Sequence, residues 1–288
     1  MKEAPHSGQR PTAWRITRLT FEKFFEDDMP TYAAALAYRV LFSLFPFVVF
    51  LTTLLGFLRL PQFFEWLRQQ AAFLLPAEAM KQVNVVLDEL QTPRGDLMSV
   101  AVALAVWSAS TAMLGTMNAL NVAYDVTERR PVWKRLPVSI AYTVALALMM
   151  VIAAGLMVSG PAFLTWATRH VGLDEIFIAV WTWARWPIAV FILMLVVAII
   201  YYAAPNIRQP FRLITAGSVL AVTLWIAASL GFAFYAQNFA SYNKTYGSMG
   251  AVIVLLFYFF LSAAVMLFGA ELNAVLARES GKKIDQAQ

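Results

Sequence analysis

The sequence has no cysteine and only two histidines among its 288 residues. The lack of cysteine excludes disulfide bonds, thiolate nucleophiles and cysteine-ligated zinc or iron–sulfur sites. His6 lies in a polar N-terminal segment and His170 in a short predicted loop, so neither is well placed as a general base. The chain also has no Gly-rich phosphate loop of the Walker type. We therefore expect no catalytic residues, no cofactor and no metal site, and we expect neither an enzyme nor a nucleotide-driven pump.

Charged residues are also scarce, at 14% of the chain against 60% hydrophobic residues, whereas a soluble domain is about a quarter charged. A bilayer core requires roughly 20 apolar residues in a helix, and open sheets would leave backbone groups unpaired in lipid. Six stretches meet or approach that length: Tyr32–Leu58, Leu97–Leu120, Pro137–Gly160, Ile178–Ala203, Leu213–Tyr235 and Ser248–Ala270. The predicted fold is all-α, a polytopic membrane protein with six transmembrane helices in one bundle.

The distribution of Lys and Arg predicts the topology of this bundle. Most of them lie in the N-terminal segment, the second and fourth connections and the C-terminal tail. By the positive-inside rule these segments face the cytoplasm, which also explains the net charge of +5 without a nucleic-acid partner. The predicted organisation is a cytoplasmic segment over residues 1–30, a transmembrane domain over 31–277 and a cytoplasmic tail over 278–288.

The first outer connection, residues 59–96, is the only long one. Two amphipathic helices are predicted within it, the second beginning after Pro76. Their apolar stripes suit either a packed helical hairpin outside the membrane or helices lying on its surface.

The first transmembrane helix carries two unusual residues. Pro46, near its middle, removes a backbone hydrogen bond and is expected to kink or break the helix. Arg39 lies about two turns inside, where a charge costs roughly 2.5 kcal/mol or more. Its side chain either extends to the headgroups or serves as an anion-binding or ion-pairing group in the bundle.

Polar residues also gather at the cytoplasmic ends of the second and sixth helices. Asn118, Asn121 and Asp125 are spaced three and four apart, so they share one helix face. Glu271 and Asn273 lie near the end of the sixth helix, and Arg39 is a candidate counter-charge for Glu271. These residues form either a substrate or ion pathway or a clasp that holds the helices together.

Tyr246, Gly247 and Ser248 lie where the sixth helix is predicted to begin, on the outer side. Free backbone amides at a helix start bind anions or headgroups. The alternative is simpler: Ser248 caps the helix and the glycines allow close packing.

Three groups of motifs resemble a known family. They are Ala33-Ala34-Ala35-Leu36-Ala37-Tyr38 with Leu41-Phe42-Ser43-Leu44-Phe45-Pro46, then Tyr201-Tyr202-Ala203-Ala204-Pro205-Asn206, and finally Tyr246-Gly247-Ser248-Met249-Gly250-Ala251 with Gly269-Ala270-Glu271-Leu272-Asn273-Ala274. From about Phe21 to Ala277 the chain resembles the YihY/BrkB family of bacterial inner-membrane proteins. The resemblance implies a six-helix protein of the cytoplasmic membrane. The family has carried the labels ribonuclease, generally regarded as mistaken, and virulence factor, and transport has been proposed for it.

Two functional hypotheses follow. In the first, the protein is a secondary transporter or a lipid or small-solute translocase, with a pathway past Arg39, Pro46, Asn118, Asn121, Glu271 and Asn273. In the second, it is a structural or scaffolding factor of the cell envelope, and these residues only join helices. Membrane lipids are the expected partners, and small-residue faces on the third helix suit either internal packing or a homo-oligomer.

Overall fold

The computed structural model describes residues 12–57, 95–171, 175–238, 243–280 and 285–286, and the single positions 65, 68, 80, 84 and 88. Within these residues the chain forms seven α-helices and one pair of two-residue strands. Six helices contain a segment long and apolar enough to cross a membrane. The predicted all-α fold with six membrane-crossing helices is therefore confirmed.

The helices are α1 (Ala13–Glu26), α2 (Met29–Phe57), α3 (Gly95–Ala123), α4 (Val132–Val171), α5 (Glu175–Ala203), α6 (Ala216–Asn238) and α7 (Asn243–Glu279). Strand β1 (Ile207–Arg208) pairs antiparallel with β2 (Asp285–Gln286). The helix α1 precedes the six long helices and is amphipathic. It buries Ile16, Thr20 and Phe24.

The helix ends differ from the predicted apolar stretches; α4, for example, spans Val132–Val171 where Pro137–Gly160 was predicted. Helix α2 continues through Pro46, so the helix is not interrupted there, and the alternative of a kink at this residue stays a prediction. Proline removes only one helical hydrogen bond, and neighbouring groups in a membrane bundle can compensate for it. Helix α7 begins at Asn243, not at Ser248, because polar residues extend the helix beyond its apolar part.

The chain divides into two compact units, and the division runs through α2 and α3. Unit one comprises residues 1–38 and 113–288, and unit two comprises residues 39–112. The domain boundaries predicted from the sequence stay a prediction. Most of the predicted outer helices lie outside the described residues, but an ion pair between Arg68 and Asp88 links two helical positions of that connection in unit two.

In unit one, α6 packs against α7 and α5, α4 packs against α5, and α1 packs against α7. The core contains Met29, Met117, Leu120 and Leu267, which are fully buried. The Phe24 ring on α1 contacts Phe268 on α7 edge to face, with ring centroids 5.5 Å apart. These contacts bring the ends of α1, α3, α5 and α7 and the starts of α4 and α6 to one end of unit one, here called the polar end.

Candidate functional site

A hydrogen-bonded clasp joins the end of α3 to two connections, α3–α4 and α5–α6, at the polar end. Asn121, buried near the end of α3, donates through Nδ2 to Glu128 Oε2 at 2.9 Å and accepts the backbone N–H of Asn206 at 2.7 Å. Arg130 donates through Nε and Nη2 to the two oxygens of Glu128, each at 2.8 Å. Arg130 Nη2 also donates to the carbonyl of Ala204 at 2.9 Å. We call Asn121, Glu128, Arg130, Ala204 and Asn206 the clasp.

The clasp keeps Glu128 ionised. Burial of its carboxyl raises the pKa, but the side-chain and backbone hydrogen bonds from Arg130 and the amide of Asn121 outweigh this effect. The pKa of Glu128 is consequently lowered from its ordinary value of 4.5. A charge-assisted, two-pronged contact of this kind stabilises the charged form.

The other members of the predicted α3 stripe also have partners. Asn118 Oδ1 accepts a hydrogen bond from Arg135 Nη2 at 2.5 Å. Asp125, just after α3, adopts a left-handed backbone with φ of 53° and pairs with Arg278 at 2.7 Å. Arg278 also donates to the carbonyl of Ala123 at 2.9 Å. Asn118, Asn121 and Asp125 therefore each bond to another element at the polar end, and their place in a substrate or ion pathway stays a prediction.

Helices α6 and α7 cross where two glycines meet. A Cβ atom at Gly269 would lie 2.5 Å from the carbonyl oxygen of Gly217, and one at Gly217 would overlap the carbonyl oxygen of Gly269. Asn273, one turn after Gly269, accepts the N–H of Gly217 through Oδ1 at 2.8 Å and donates to Thr215 Oγ1 at 3.0 Å. Asn273 thus satisfies a backbone amide in the first turn of α6, which has no partner within its own helix.

Glu271 lies between Gly269 and Asn273 in sequence but on a different face of α7. Its side chain is fully buried, and neither carboxylate oxygen has a hydrogen-bond partner within the described residues. Four charged groups act on it electrostatically, namely Lys23 and Asp27 at the end of α1, Asp125 after α3, and Arg278 on α7. Lys23 and Arg278 pair with other carboxylates, at 3.0 Å to Glu26 and 2.7 Å to Asp125.

The charges beside Glu271 also perturb one another. Burial raises the pKa of Asp27, and the nearby Asp125 raises it further, against the lowering effect of Lys23 and Arg278. Burial lowers the pKa of Lys23, but its hydrogen bond to Glu26 and the charge of Asp27 more than compensate, so the net shift is upward. The end of α1 therefore holds a mixed-charge cluster next to a buried acid.

The remaining candidates lie apart from this end or outside the described side chains. Arg39, in unit two, donates through Nη1 to the carbonyl of Thr111 at 2.6 Å and is half-buried. Arg39 and Glu271 belong to different units, so their proposed pairing stays a prediction. Tyr246, Gly247 and Ser248 lie within the first two turns of α7 and not before it, because the helix begins at Asn243. The anion or headgroup site predicted at these three residues stays a prediction.

A cavity of about 510 Å³ opens at the polar end and is here called the loop cavity. Its apolar wall includes Ile207, Ile214 and Leu276. Its polar lining is Tyr124, Tyr201, Tyr202, Gln209, Arg212, Thr215, Asn273 and Ser280. Tyr124 also interacts electrostatically with Glu271, and burial raises its pKa well above the usual value. The loop cavity therefore reaches residues that adjoin the buried acid.

Sequence reasoning missed Glu128 and Asn206 as site residues and treated Arg130 and Arg135 only as topological charges. One feature of the sequence could have indicated Glu128 as a site residue. It is a single acid followed by basic residues in the connection between two apolar helices. Asn206 closes the Ala203-Ala204-Pro205-Asn206 motif, but its partner Asn121 is 85 residues away in sequence. Helical periodicity predicts which residues of one helix share a face, but not contacts between residues so far apart in sequence.

Acidification should weaken the clasp. Because the pKa of Glu128 is lower in the folded protein than in the unfolded chain, its stabilising contribution is complete above the ordinary value of 4.5 and disappears as the pH falls through the folded value. We expect the melting temperature of the purified protein to fall between about pH 5 and about pH 3. The Glu128→Gln variant should show a flatter pH profile over that range, and an equal slope in both proteins would contradict this account.

Comparison with known proteins identifies relatives along most of the chain. The family described as Virulence factor BrkB matches residues 20–288. The ribonuclease-like protein YfkH of Bacillus subtilis (strain 168) is 36% identical over 259 residues, which cover 89% of this chain and 93% of YfkH. A UPF0761 membrane protein of Xanthomonas campestris pv. campestris (strain B100) is 28% identical over 264 residues, covering 90% of this chain. No solved structure matches.

The match to the Xanthomonas protein covers only 60% of its length. The same holds for a UPF0761 membrane protein of Xanthomonas axonopodis pv. citri (strain 306), also 28% identical. The match to YfkH, in contrast, extends over nearly all of both proteins, and the family match covers every helix from α2 to α7. This chain therefore belongs to the BrkB family of membrane proteins.

Proposed function

We propose that this protein is a secondary transporter, or a lipid or small-solute translocase, of the bacterial cytoplasmic membrane. The observation that carries the proposal is Glu271, which is fully buried in a membrane-crossing segment with both oxygens unpartnered within the described residues. A charged carboxylate in such a site is very costly, so it must bind a proton or a cation. A coupled transporter requires a group inside the bundle that binds and releases an ion.

The surroundings of Glu271 support this role. Asp27, Asp125, Lys23 and Arg278 provide charges of both signs at its side. The loop cavity is lined by Asn273 of α7, by Tyr201, whose Oη donates to the carbonyl of Met266 on α7, and by Tyr124, which interacts electrostatically with Glu271. In this proposal a proton passes between the polar end and Glu271. Arg39 and Pro46, which belong to unit two, stay candidate pathway residues.

The proposed orientation places the polar end in the cytoplasm. Arg129, Arg130, Lys134 and Arg135 lie between α3 and α4, and Arg212 lies between α5 and α6. This excess of basic residues favours the cytoplasmic side. Both chain ends are then cytoplasmic. The proposal includes no catalytic step and no nucleic acid.

The scaffold hypothesis remains the alternative, and a specific observation favours it. Asn118, Asn121 and Asn273 each make hydrogen bonds that join separate elements of the bundle. These residues have structural roles whether or not a substrate passes. Glu271 is the residue that distinguishes the two hypotheses, because a scaffold gains nothing from an unpartnered buried acid.

The test uses the full-length protein in sealed vesicles with an imposed pH gradient and a trapped pH-sensitive dye. We expect Glu271→Gln and Arg39→Gln to reduce proton uptake close to the level of protein-free vesicles. Glu279→Gln is the matched control, since Glu279 lies on the same helix and pairs with Arg15 at 3.5 Å. Gln at position 271 removes the buried charge while keeping the shape of the side chain, so this variant should fold at least as well as the original protein.

Unchanged uptake in both variants would remove Arg39 and Glu271 from the mechanism. If both variants instead fail to fold, the scaffold hypothesis is favoured. Proton uptake that falls equally in Glu279→Gln would indicate a general effect of charge removal and would also count against the proposal.

A further inference from the structure

Among the described residues that line the loop cavity, one charged side chain is unpaired. Arg212, in the loop before α6, is exposed and makes no ion pair within the described part of the chain. The other described polar groups that line the cavity are neutral, and several already have partners. Gln209 donates to the carbonyl of Tyr201 at 2.7 Å, and Asn273 bonds Gly217 and Thr215. Among the described residues that line the cavity there is no carboxylate. Its electrostatic preference is therefore for an anion.

An apolar groove continues from this cavity along α6. Ile214, Thr215 and Ala216 line both. The groove then follows Val219, Leu220 and Thr223, with Leu272 of α7 as its other wall. Positions 216, 219, 220 and 223 are three and four apart, so they form one face of α6. This face belongs to the segment Ala216–Tyr235, which is long and apolar enough to cross a membrane.

The mouth of the cavity has the composition of a membrane interface. Tyr202 and Phe211 are exposed and contact each other edge to face, with centroids 5.3 Å apart. Ile214, where the cavity meets the groove, is 69% exposed. Aromatic side chains beside a basic residue are typical of the level of lipid headgroups. A polar, cationic cavity is thus joined to an apolar groove at that level.

We propose that the loop cavity and the α6 groove bind a phospholipid, with its anionic phosphate headgroup at Arg212 and one acyl chain along Val219 and Thr223. This names the substrate class of the proposed translocase and rests on that proposed function. Arg212 selects the headgroup, because a guanidinium pairs well with phosphate oxygens. The groove adds little binding free energy, since bilayer hydrocarbon is as apolar as its walls, but it fixes the direction of the chain.

Binding is measured by native mass spectrometry of the purified full-length protein titrated with phosphatidylglycerol. We expect Arg212→Gln to weaken binding about tenfold, the effect of losing one charge-assisted hydrogen bond. Arg129→Gln is the matched control, because Arg129 is also exposed at the polar end but does not line the cavity. Val219→Trp should fill the groove and weaken binding, while Leu230→Trp, at an exposed position farther along α6, should not.

A second titration uses glycerol 3-phosphate, which has the phosphate but no acyl chain. We expect it to bind more weakly than phosphatidylglycerol and to be insensitive to Val219→Trp. Equal binding of the two ligands, together with no effect of Val219→Trp on phosphatidylglycerol, would identify a site for free phosphate compounds and overturn the lipid proposal. Equal effects of Arg212→Gln and Arg129→Gln would overturn it as well.

Failure of this inference is distinguishable from failure of the proposed function. Proton uptake that depends on Glu271, with lipid binding indifferent to Arg212, would retain the transporter and reject the lipid site. Lipid binding that depends on Arg212, with uptake indifferent to Glu271 and Arg39, would retain the binding site and reject its role in coupled transport.

Discussion

Replacing Gly269 by alanine is expected to separate α6 from α7 and to destabilise the protein by about 3 kcal/mol, the upper end of the usual cost of overpacking. The added Cβ would lie 2.5 Å from the carbonyl oxygen of Gly217, 2.5 Å from Tyr201 Oη and 2.8 Å from Ala221 Cβ. Tyr201 has a movable side chain, but the carbonyl of Gly217 is backbone. One helix must therefore shift as a whole.

That shift would also disturb the polar contacts around the crossing. Asn273 bonds the N–H of Gly217 at 2.8 Å, and Tyr201 Oη donates to the carbonyl of Met266 at 2.5 Å. Both bonds depend on the close approach of the helices. We expect the purified variant to aggregate at a markedly lower temperature than the original protein in a thermal size-exclusion experiment.

Gly231→Ala is the control for this experiment. Gly231 lies on the same helix as Gly217, and a Cβ there would meet no atom within 4 Å. Alanine has the higher helix propensity by about 1 kcal/mol, so this variant should be as stable as the original protein or slightly more stable. Equal stability of Gly269→Ala and Gly231→Ala would show that the crossing tolerates a methyl group and would contradict the structural account.

The crossing also gives a physical basis for the Gly269-Ala270-Glu271-Leu272-Asn273 motif. Residues four apart lie on one helix face, so Gly269 and Asn273 both meet the start of α6. Glu271 is two residues from each and therefore faces a different side, toward the charges at the ends of α1 and α3. One short motif thus combines a packing surface with the buried acid.

The long helices were predictable because hydrophobic length is a local property of the sequence. Their number was confirmed, but their ends were less accurate. Helix α7 extends from Asn243 to Glu279 while its apolar run is shorter, since polar residues can continue a helix into the headgroup region or water. The continuous helix at Pro46 has a similar origin: local sequence marks a missing hydrogen bond, and the surrounding structure decides whether the helix ends.

The candidate site was predictable only in part. Asn118 and Asn121 lie near the end of α3, but Asp125 follows the helix with a left-handed backbone, so the polar stripe expected from their spacing stays a prediction. Their partners could not be identified from spacing, because Asn121 meets Asn206, and Asp125 meets Arg278, through tertiary contacts. The loop cavity was likewise not foreseen, since it is formed by residues of α5, α7 and the loop before α6.

Arg130→Ala is expected to destabilise the protein by about 3 kcal/mol, the lower end of the cost of removing one partner from a buried ion pair. We take the lower end of this range because the side chains of Arg130 and Glu128 are 21% and 14% exposed, so water partly solvates the charge that is left unpaired. The substitution leaves Glu128 with Asn121 and with Arg135, whose Nε is 3.7 Å away. It also frees the carbonyl of Ala204 at the end of α5.

A double-mutant cycle separates the ion pair from these other losses. Glu128→Ala, Arg130→Ala and the double variant are compared by thermal or denaturant unfolding in detergent. Because the two side chains contact each other directly, the double variant should be more stable than the sum of the single effects predicts, by about 1–3 kcal/mol. Arg129→Ala, which removes a neighbouring exposed charge, should change stability by less than about 0.5 kcal/mol. Additive single effects would mean that Glu128 and Arg130 act independently, and the clasp would then not be the element that joins the connections at the polar end.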